Sequence, residues 1–283
     1  MNFFEKLLVI DRRVIFLFVA VAIAVPLFFK VNLKVDITPE VRKVYDIMEN
    51  LPEGSKVLVA FDYDPGSMPE LQPMAESFIR HCIRKKLKMI IMGLWPQGFI
   101  QANQALEKVL KEEEFKDVKL EEGVDWVNLG YAAGNEVVIE RMGSDISAVF
   151  AADYRGMKLG NLPLMKGVKN FSNIDFIYNL SAGYPGTQEW VQFAVDKFGA
   201  KLAAGNTAVQ APLIYPFYPK QLLGVLGGMK GAAEYEVLMG IPATGVKYMF
   251  SQSVAHGVVC FFVIIGNLAF FLTRGKRKSG GQK

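Results

Sequence analysis

Short apolar runs alternate with longer helix-like patterns along the middle of the chain, between about residues 31 and 253. Short apolar runs are typical of buried strands, whereas apolar residues spaced three or four apart are typical of amphipathic helices. Alternation of the two favours a parallel sheet joined by crossover helices. The predicted strands are 56–61, 88–94, 125–129, 175–180 and 201–204. We therefore predict an α/β domain with a doubly wound, mostly parallel, Rossmann-like sheet of about five strands.

Helices are expected between these strands, over about residues 39–50, 69–86, 98–114 and 187–198. The first of them follows Thr38, a plausible N-cap, with Pro39 in its first turn. The least regular stretch runs from 135 to 171. We expect it to form a lid or an excursion from the sheet.

Two uncharged apolar runs, 14–29 and 255–273, flank the predicted domain. Each is close to the ~20 residues that a membrane-spanning helix needs. The second run ends in four cations within five residues, Arg274–Lys278, as stop-transfer helices usually do. We predict spans at 14–30 and 254–273. For the first run, a cleavable signal peptide cut after Ala22-Ile23-Ala24 is the open alternative.

The charge distribution predicts the topology. Residues 1–13 carry a net +1 and residues 274–283 a net +5, which leaves −2 of the overall +4 for the rest of the chain. Positively charged flanks stay in the cytoplasm. We predict a two-pass cell-membrane protein with both tails, 1–13 and 274–283, in the cytoplasm and the domain at 31–253 outside. The lipid bilayer is then a partner, whereas the slightly acidic domain disfavours nucleic acid.

Candidate ligand-binding residues lie in the loops that follow the predicted strands, because open parallel sheets bind ligands outside the carboxyl ends of their strands. These loops supply Asp62, Asp64, Ser67, Trp95, Tyr131, Ser181, Tyr184, Thr187, Asn206 and Thr207. Such a set would suit a neutral or anionic small molecule held by helix N-termini between aromatic walls. Ordinary βα turns use the same residue types, and that interpretation stays open.

Two patterns within these loops suggest catalysis. Asp62-x-Asp64 could hold Mg²⁺ or act as nucleophile and acid, although Asp before Pro-Gly is also a turn former. Ser181 superficially resembles a nucleophile elbow. Asn179, however, stands where the sharp turn needs Gly, and the histidine that follows in sequence, His256, lies in the predicted span.

Cysteine and histidine are scarce. Two of each exclude a disulfide scaffold and make a His-rich metal site implausible. His81 and Cys82 are neighbours on a predicted helix and point about 100° apart, so we expect a surface histidine beside a partly buried thiol. The sequence assigns no metal site and leaves the cofactor unknown. Neither a Gly-x-Gly-x-x-Gly motif opening a helix nor a Walker A motif is present.

The stretch Gln221–Gly240 is rich in small residues and is predicted as one helix. Its glycines are candidate interface residues, because glycine in a helix usually permits close backbone approach. They are Gly224, Gly227, Gly228 and Gly231. The approaching surface could be the sheet, another protomer or a membrane.

Two functional hypotheses follow. The leading one is a membrane-anchored binding or scaffold module that forms a homo-oligomer or engages a membrane protein partner. It would also sense a small ligand at the carboxyl edge of the sheet. The alternative is a membrane-tethered, metal-assisted hydrolase or transferase that uses Asp62 and Asp64. Whether the chain is an enzyme stays open.

Overall fold

The computed structural model describes residues 7–29 and 35–279, with side chains up to Thr273. The predicted features that fall on residues 1–6, on 30–34 and on 280–283, and the side chains of the basic tail, lie outside the described residues. The chain divides into two compact units. One is Lys34–Val246, and the other consists of Met1–Leu33 with Lys247–Lys283.

The larger unit is an α/β domain built on parallel strands. Its described strands are β1 Lys56–Asp62, β2 Lys88–Gly93, β3 Trp126–Tyr131, β4 Phe176–Ser181, β5 Leu202–Asn206 and β6 Leu222–Gly227. They form one sheet in the order β3-β2-β1-β4-β5-β6, with every neighbouring pair parallel. This is the doubly wound order, in which the direction of winding reverses between β1 and β4.

Helices cover both faces of the sheet. The described α-helices of the chain are α1 Arg12–Ala24, α2 Pro39–Asn50, α3 Met68–Arg84, α4 Gly98–Leu110, α5 Glu136–Ser144, α6 Thr187–Trp190, α7 Asp196–Phe198, α8 Ala211–Ile214, α9 Gly228–Met239 and α10 Thr244–Ser279. Helices α2, α3, α4 and α9 pack on one face around a core that includes Phe78 and Tyr178. The other face carries α5, α6 and α8 around Trp190. Burial on both faces explains why the strands are apolar throughout.

The irregular stretch 135–171 belongs to the second face. After α5 it runs through short 3-10 turns, Ile146–Ala148, Leu159–Asn161 and Pro163–Met165. Apolar side chains from this stretch, Phe150 and Leu162 among them, are buried in the core on that face. The excursion from regular structure is therefore a covering layer of the domain.

The predicted glycine-rich helix is wrong in its first part. Leu222–Gly227 is the sixth strand, and helix α9 starts only at Gly228, where φ is +57°. A Cβ on Gly224 would lie 2.4 Å from Val44 Cγ2 and 2.7 Å from the Glu40 carbonyl oxygen, so this glycine lets α2 pack directly on the sheet.

The other three candidate interface glycines also pack against their own chain. A Cβ on Gly227 would lie 2.7 Å from the Tyr215 hydroxyl, and one on Gly228 would lie 2.9 Å from Ala208 Cβ. At Gly231 the nearest atoms belong to the backbone of Leu226, at 2.8 Å. Close packing inside the domain thus accounts for all four, and their role in an interface between chains stays a prediction.

His81 and Cys82 are both fully buried, which corrects the expectation of a surface histidine. Nδ1 of His81 lies 2.7 Å from the Tyr235 hydroxyl on α9, and Nε2 lies 3.1 Å from Glu49 Oε1 on α2. Burial lowers the pKa of His81 to about 4, although Glu49 opposes this. Helix α3 lies between two other helices, so a polar residue beside its apolar stripe is also covered.

The second unit contains the apolar ends. Within the described residues, one helix, α10, is long and apolar enough to cross a membrane: its stretch Thr244–Thr273 contains an 18-residue window with a mean hydropathy of 2.2, and only 11% of that window is buried. Helix α1 has 13 residues and is followed by a 3-10 turn, Val25–Phe28, that contains Pro26. At 1.5 Å per residue it is about 20 Å long, shorter than a ~30 Å hydrocarbon layer. The predicted N-terminal span is therefore not found as a helix of spanning length.

A buried carboxylate caps the first turn of α10. Glu236 Oε1 accepts a hydrogen bond from Gly245 N (2.8 Å), and its Oε2 accepts from Ala243 N and Val246 N (both 2.9 Å). The first backbone N–H groups of a helix have no partners within the helix itself. The Glu236 side chain satisfies them here without access to water, because it is fully buried.

We expect Glu236→Ala to loosen the start of α10. Leaving buried N–H donors without an acceptor costs about 1–3 kcal/mol each. Hydrogen–deuterium exchange of the full chain in lipid nanodiscs should be about tenfold faster or more at the amides of Ala243, Gly245 and Val246, since ~1.4 kcal/mol corresponds to a factor of ten. Glu107→Ala, at an exposed position on α4, is the matched control. Unchanged exchange in Glu236→Ala would contradict this role.

Candidate functional site

A buried aspartate stands at the point where the winding of the sheet reverses. Asp62 ends β1 and is paired in register with Ser181 at the end of β4. Its Oδ1 accepts a hydrogen bond from Leu94 N (2.7 Å). Its Oδ2 accepts from Asn179 Nδ2 (2.7 Å) and Trp190 Nε1 (2.8 Å). One carboxylate therefore ties together the ends of β1, β2 and β4 and the helical run that follows β4.

The ionisation of Asp62 is shifted by its surroundings. Burial raises its pKa to about 7, against the three donors, which lower it. Glu189 raises the pKa further through charge repulsion. The group is thus placed to change its charge near neutral pH, unlike an exposed aspartate, which titrates near pH 4.

A chain of side-chain hydrogen bonds leads from Asp62 toward the surface. Asn179 donates to Asp62, so its Oδ1 is free to accept from the Thr187 hydroxyl (2.7 Å). The Thr187 Oγ1 in turn accepts from Asn206 Nδ2 (2.8 Å). In its ionised form the carboxylate can only accept, so in that form it fixes the direction of every bond in this relay, which runs from Asp62 through Asn179 and Thr187 to Asn206. The relay ends at Asn206 Oδ1, which is buried and has no hydrogen-bond partner among the described residues.

A pocket of about 230 Å³ lies where the relay ends, outside the carboxyl ends of β4 and β5. It is lined by Ser181, Gly183, Tyr184, Thr187, Gln188, Glu189, Asn206, Gln210, Leu213 and Ile214. Two unusual backbone features lie close to these residues in the chain. Gly186 admits no side chain, since a Cβ there would lie 1.9 Å from Ser181 Oγ. The run after α6 forms a π-helical turn, Val191–Val195, a form that is frequent at functional sites.

Loops from three strands meet beside this pocket. Trp95 Nε1 donates to the Pro185 carbonyl oxygen (2.8 Å), which joins the loop after β2 to the loop after β4. The Tyr184 hydroxyl donates to Glu136 Oε2 (2.9 Å) and accepts from Asn135 Nδ2 (3.2 Å), which adds the loop after β3. The hydrogen bond to Glu136 raises the pKa of Tyr184.

The charge of the pocket is negative. Glu189 is a lining residue, whereas neither lysine nor arginine is found among the residues that line it. Glu189 Oε2 also accepts from Gly186 N (2.8 Å), so a carboxylate of the chain itself already occupies the N-terminus of α6. An anionic ligand would meet this carboxylate. The geometry therefore favours a neutral or cationic ligand over the anion that the loops alone allowed.

The structure brings together part of the predicted ligand-binding set. Ser181, Tyr184, Thr187 and Asn206 line the pocket. Trp95 stands beside it, with its ring 3.8 Å from where a Cβ on Gly183 would be. Asp62 lies behind the pocket and reaches it only through the relay.

The remaining predicted residues, Asp64, Ser67, Tyr131 and Thr207, do not line the pocket. Asp64 Oδ1 accepts from both the backbone and the hydroxyl of Ser67 (3.2 Å each) and so caps the short turn Pro65–Ser67. The Thr207 carbonyl oxygen accepts from Gln210 N and Ala211 N within a turn.

Asp62 and Asp64 serve separate local structures. Asp62 already accepts three hydrogen bonds, and Asp64 caps its own turn. Within the described part of the chain, no cluster of three or more His, Cys, Asp or Glu residues could hold a metal ion.

Sequence reasoning missed the residues that connect Asp62 to the pocket. Asn179 and Trp190 are fully buried, and Glu189 and Gln210 line the pocket. For Asn179 a signal existed: it is an amide inside the apolar strand FIYNLS, and a buried amide requires hydrogen-bond partners.

No protein-family model and no curated protein matches this sequence. The site is therefore interpreted from its own geometry and chemistry.

The pKa of Asp62 leads to a prediction about stability. An acid whose pKa is higher in the folded state than in the unfolded state contributes to the free energy of unfolding. This contribution is complete below the pKa of the unfolded state and is lost as the pH rises through the pKa of the folded state. For Asp62 this window runs from 3.8 to about 7 and corresponds to roughly 4 kcal/mol. We therefore compare the free energies of unfolding of wild type and Asp62→Asn. The difference, wild type minus variant, should fall by about this amount between pH 4 and pH 8. Urea unfolding in detergent measures it.

The matched control is Asp64→Asn, an identical change two residues away. The difference between wild type and Asp64→Asn should not show this fall. A difference between wild type and Asp62→Asn that is constant with pH would contradict the assignment. At every pH, Asp62→Asn should also carry a fixed cost of about 1–3 kcal/mol, since an amide cannot accept from all three donors.

Proposed function

We propose that this chain is a membrane-anchored α/β module that binds a small polar molecule at the carboxyl edge of its sheet. The observation that carries the proposal is the unpaired Oδ1 of Asn206, at the end of a fixed relay and in a residue that lines the pocket. Buried acceptors in folded proteins are nearly always paired, so an unpaired one calls for an explanation. A ligand that supplies a donor is such an explanation, and open parallel sheets bind ligands outside the carboxyl ends of their strands, where this pocket lies.

The membrane anchor is the second part of the proposal. Helix α10 supports it by its length, its hydropathy and its exposed apolar surface. The five cations in residues 274–283 support a cytoplasmic C-terminus. In the proposed arrangement, α1 with its following turn is a second membrane segment, both termini are cytoplasmic and the domain is outside.

Self-association or binding to a membrane protein partner is the third part. The glycines that suggested it pack inside the domain, so its support now comes from exposed apolar side chains. Val209, Leu213 and Tyr215 are 80%, 55% and 40% exposed around α8, next to the pocket. Exposed apolar groups that cluster in this way are common at sites of protein association.

The alternative, a metal-assisted hydrolase or transferase, is less well supported. It needs Asp62 and Asp64 to act on one ligand, and their hydrogen bonds direct them to different structures. We therefore propose ligand binding, rather than catalysis, as the function of this site.

Filling the pocket should abolish ligand binding. Gly183 is suited to this, because a Cβ there would lie 3.8 Å from both Gln210 Nε2 and the Trp95 ring, an ordinary contact distance. We expect full-length protein in nanodiscs, incubated with a cellular small-molecule extract and washed, to retain a compound that mass spectrometry detects. We expect Gly183→Leu to retain none of it.

Gly160→Leu is the matched control, since a Cβ at that position has no atom within 4 Å. It should retain the compound as wild type does. Identical retained compounds in wild type, Gly160→Leu and Gly183→Leu would show that the pocket is not the binding site.

The topology is tested by cysteine labelling in intact cells. In a Cys260→Ala background, Glu107→Cys at an exposed position of α4 should react with a membrane-impermeant maleimide, whereas Gln282→Cys in the tail should react only after lysis. Cys82 is buried and provides no exposed thiol. Labelling of Gln282→Cys, but not of Glu107→Cys, in intact cells would contradict the proposed arrangement.

A further inference from the structure

The hydrogen bonds of the lining leave one buried acceptor unpaired. Three side-chain donors are used within the chain: Asn206 Nδ2 donates to Thr187, the Thr187 hydroxyl donates to Asn179, and the Ser181 hydroxyl donates to the Gly183 carbonyl oxygen. What is left over at the end of the relay is an acceptor, Asn206 Oδ1. A ligand that pairs with this oxygen must therefore bring an N–H or O–H donor.

The charge and the rings restrict the ligand further. Glu189 contributes a carboxylate to the lining, and Glu136 holds the Tyr184 hydroxyl at 2.9 Å. Tyr184 is 62% exposed, which leaves its ring accessible, and the Trp95 ring stands beside Gly183. Carboxylates and electron-rich ring faces both attract cations.

Glu189 is also only partly engaged by the chain. Its Oε2 accepts from Gly186 N, and this is the side-chain hydrogen bond that the structure gives it. A carboxylate offers about four acceptor positions. Glu189 can therefore keep its hydrogen bond at the start of α6 and still accept from a ligand.

We propose that the pocket takes a small molecule with a primary ammonium group, which donates to Asn206 Oδ1 and lies opposite the Glu189 carboxylate. This inference rests on the proposed function, because it names the ligand class of the same pocket. The relay makes the requirement directional: Asp62 orients Asn179, Asn179 orients Thr187, and Thr187 orients Asn206 with its oxygen left to accept.

Three molecules of nearly equal size test the proposal: ethanolamine, ethylene glycol and glycolate. They share a hydroxyl group and differ in carrying a cation, a second hydroxyl or an anion. The full chain in nanodiscs, labelled with ¹⁵N at tryptophan, gives one indole signal from each of Trp95, Trp126 and Trp190. Trp95 and Trp190 report on the site, whereas Trp126 starts β3 at the other edge of the sheet and is an internal control.

We expect ethanolamine to shift the signals of Trp95 and Trp190 saturably and to leave Trp126 unchanged. Ethylene glycol should bind more weakly, and glycolate should cause no saturable shift. Glu189→Gln should weaken ethanolamine binding roughly tenfold, because the substitution removes the negative charge opposite the ammonium group, and hydrogen bonds to charged acceptors are stronger than those to neutral ones. The amide oxygen that this substitution introduces can still accept from Gly186 N, so the start of α6 is kept. Glu140→Gln, on α5 and paired with Lys197, should bind ethanolamine as wild type does.

Two results would overturn the inference and leave the proposed function standing. One is that all three molecules bind equally well to wild type and that Gly183→Leu abolishes the binding of all three. The other is saturable binding of glycolate in preference to ethanolamine. No saturable shift of Trp95 with any of the three molecules would count against the inference and the proposed function together. The preference among the three in wild type does not depend on how well any variant folds.

Discussion

The structure of this domain depends on burying one carboxylate where the sheet reverses its winding. Asp62 is enclosed completely and receives three hydrogen bonds, from the backbone after β2, from the middle of β4 and from the helical run after β4. A buried charge is tolerated only when its hydrogen bonds are made. The same bonds therefore hold the strand ends in place and orient the side chains between Asp62 and the pocket. The three hydrogen bonds to Asp62 thus determine both how the strand ends pack and how the polar side chains of the site are oriented.

Much of the fold was predictable from the chain alone, because periodicity records which faces are buried. The α/β class and the parallel sheet follow from apolar runs such as KVLVAF and KMIIMG. The sequence pattern predicts a helix in place of the sixth strand because Gly224 and Gly227 are each followed by another glycine four residues later, a spacing typical of close helix packing. Here they let α2 and its neighbours approach a strand. Local spacing cannot distinguish the two, since the partner is distant in sequence.

Part of the site was predictable, because the carboxyl ends of neighbouring parallel strands lie at the same edge of the sheet. Ser181 and Asn206 end the neighbouring strands β4 and β5, so they had to lie close together. The relay was not predictable, because it depends on side-chain directions. Asn179 reads as an interior strand residue, and Trp190 as a helix residue of the core. Only in three dimensions do both donate to Asp62, and only then is Asn206 left with an unpaired acceptor at the pocket.

The most direct test is a titration of the Asp62 carboxyl carbon by ¹³C NMR in the full-length protein, with the Trp190 indole and the Asn179 amide observed in the same samples. Our account predicts a midpoint near pH 7 and a simultaneous change in both donor signals, because both donate to this carboxylate. A midpoint near pH 4 with no response from Trp190 or Asn179 would mean that Asp62 is solvated and does not organise the site.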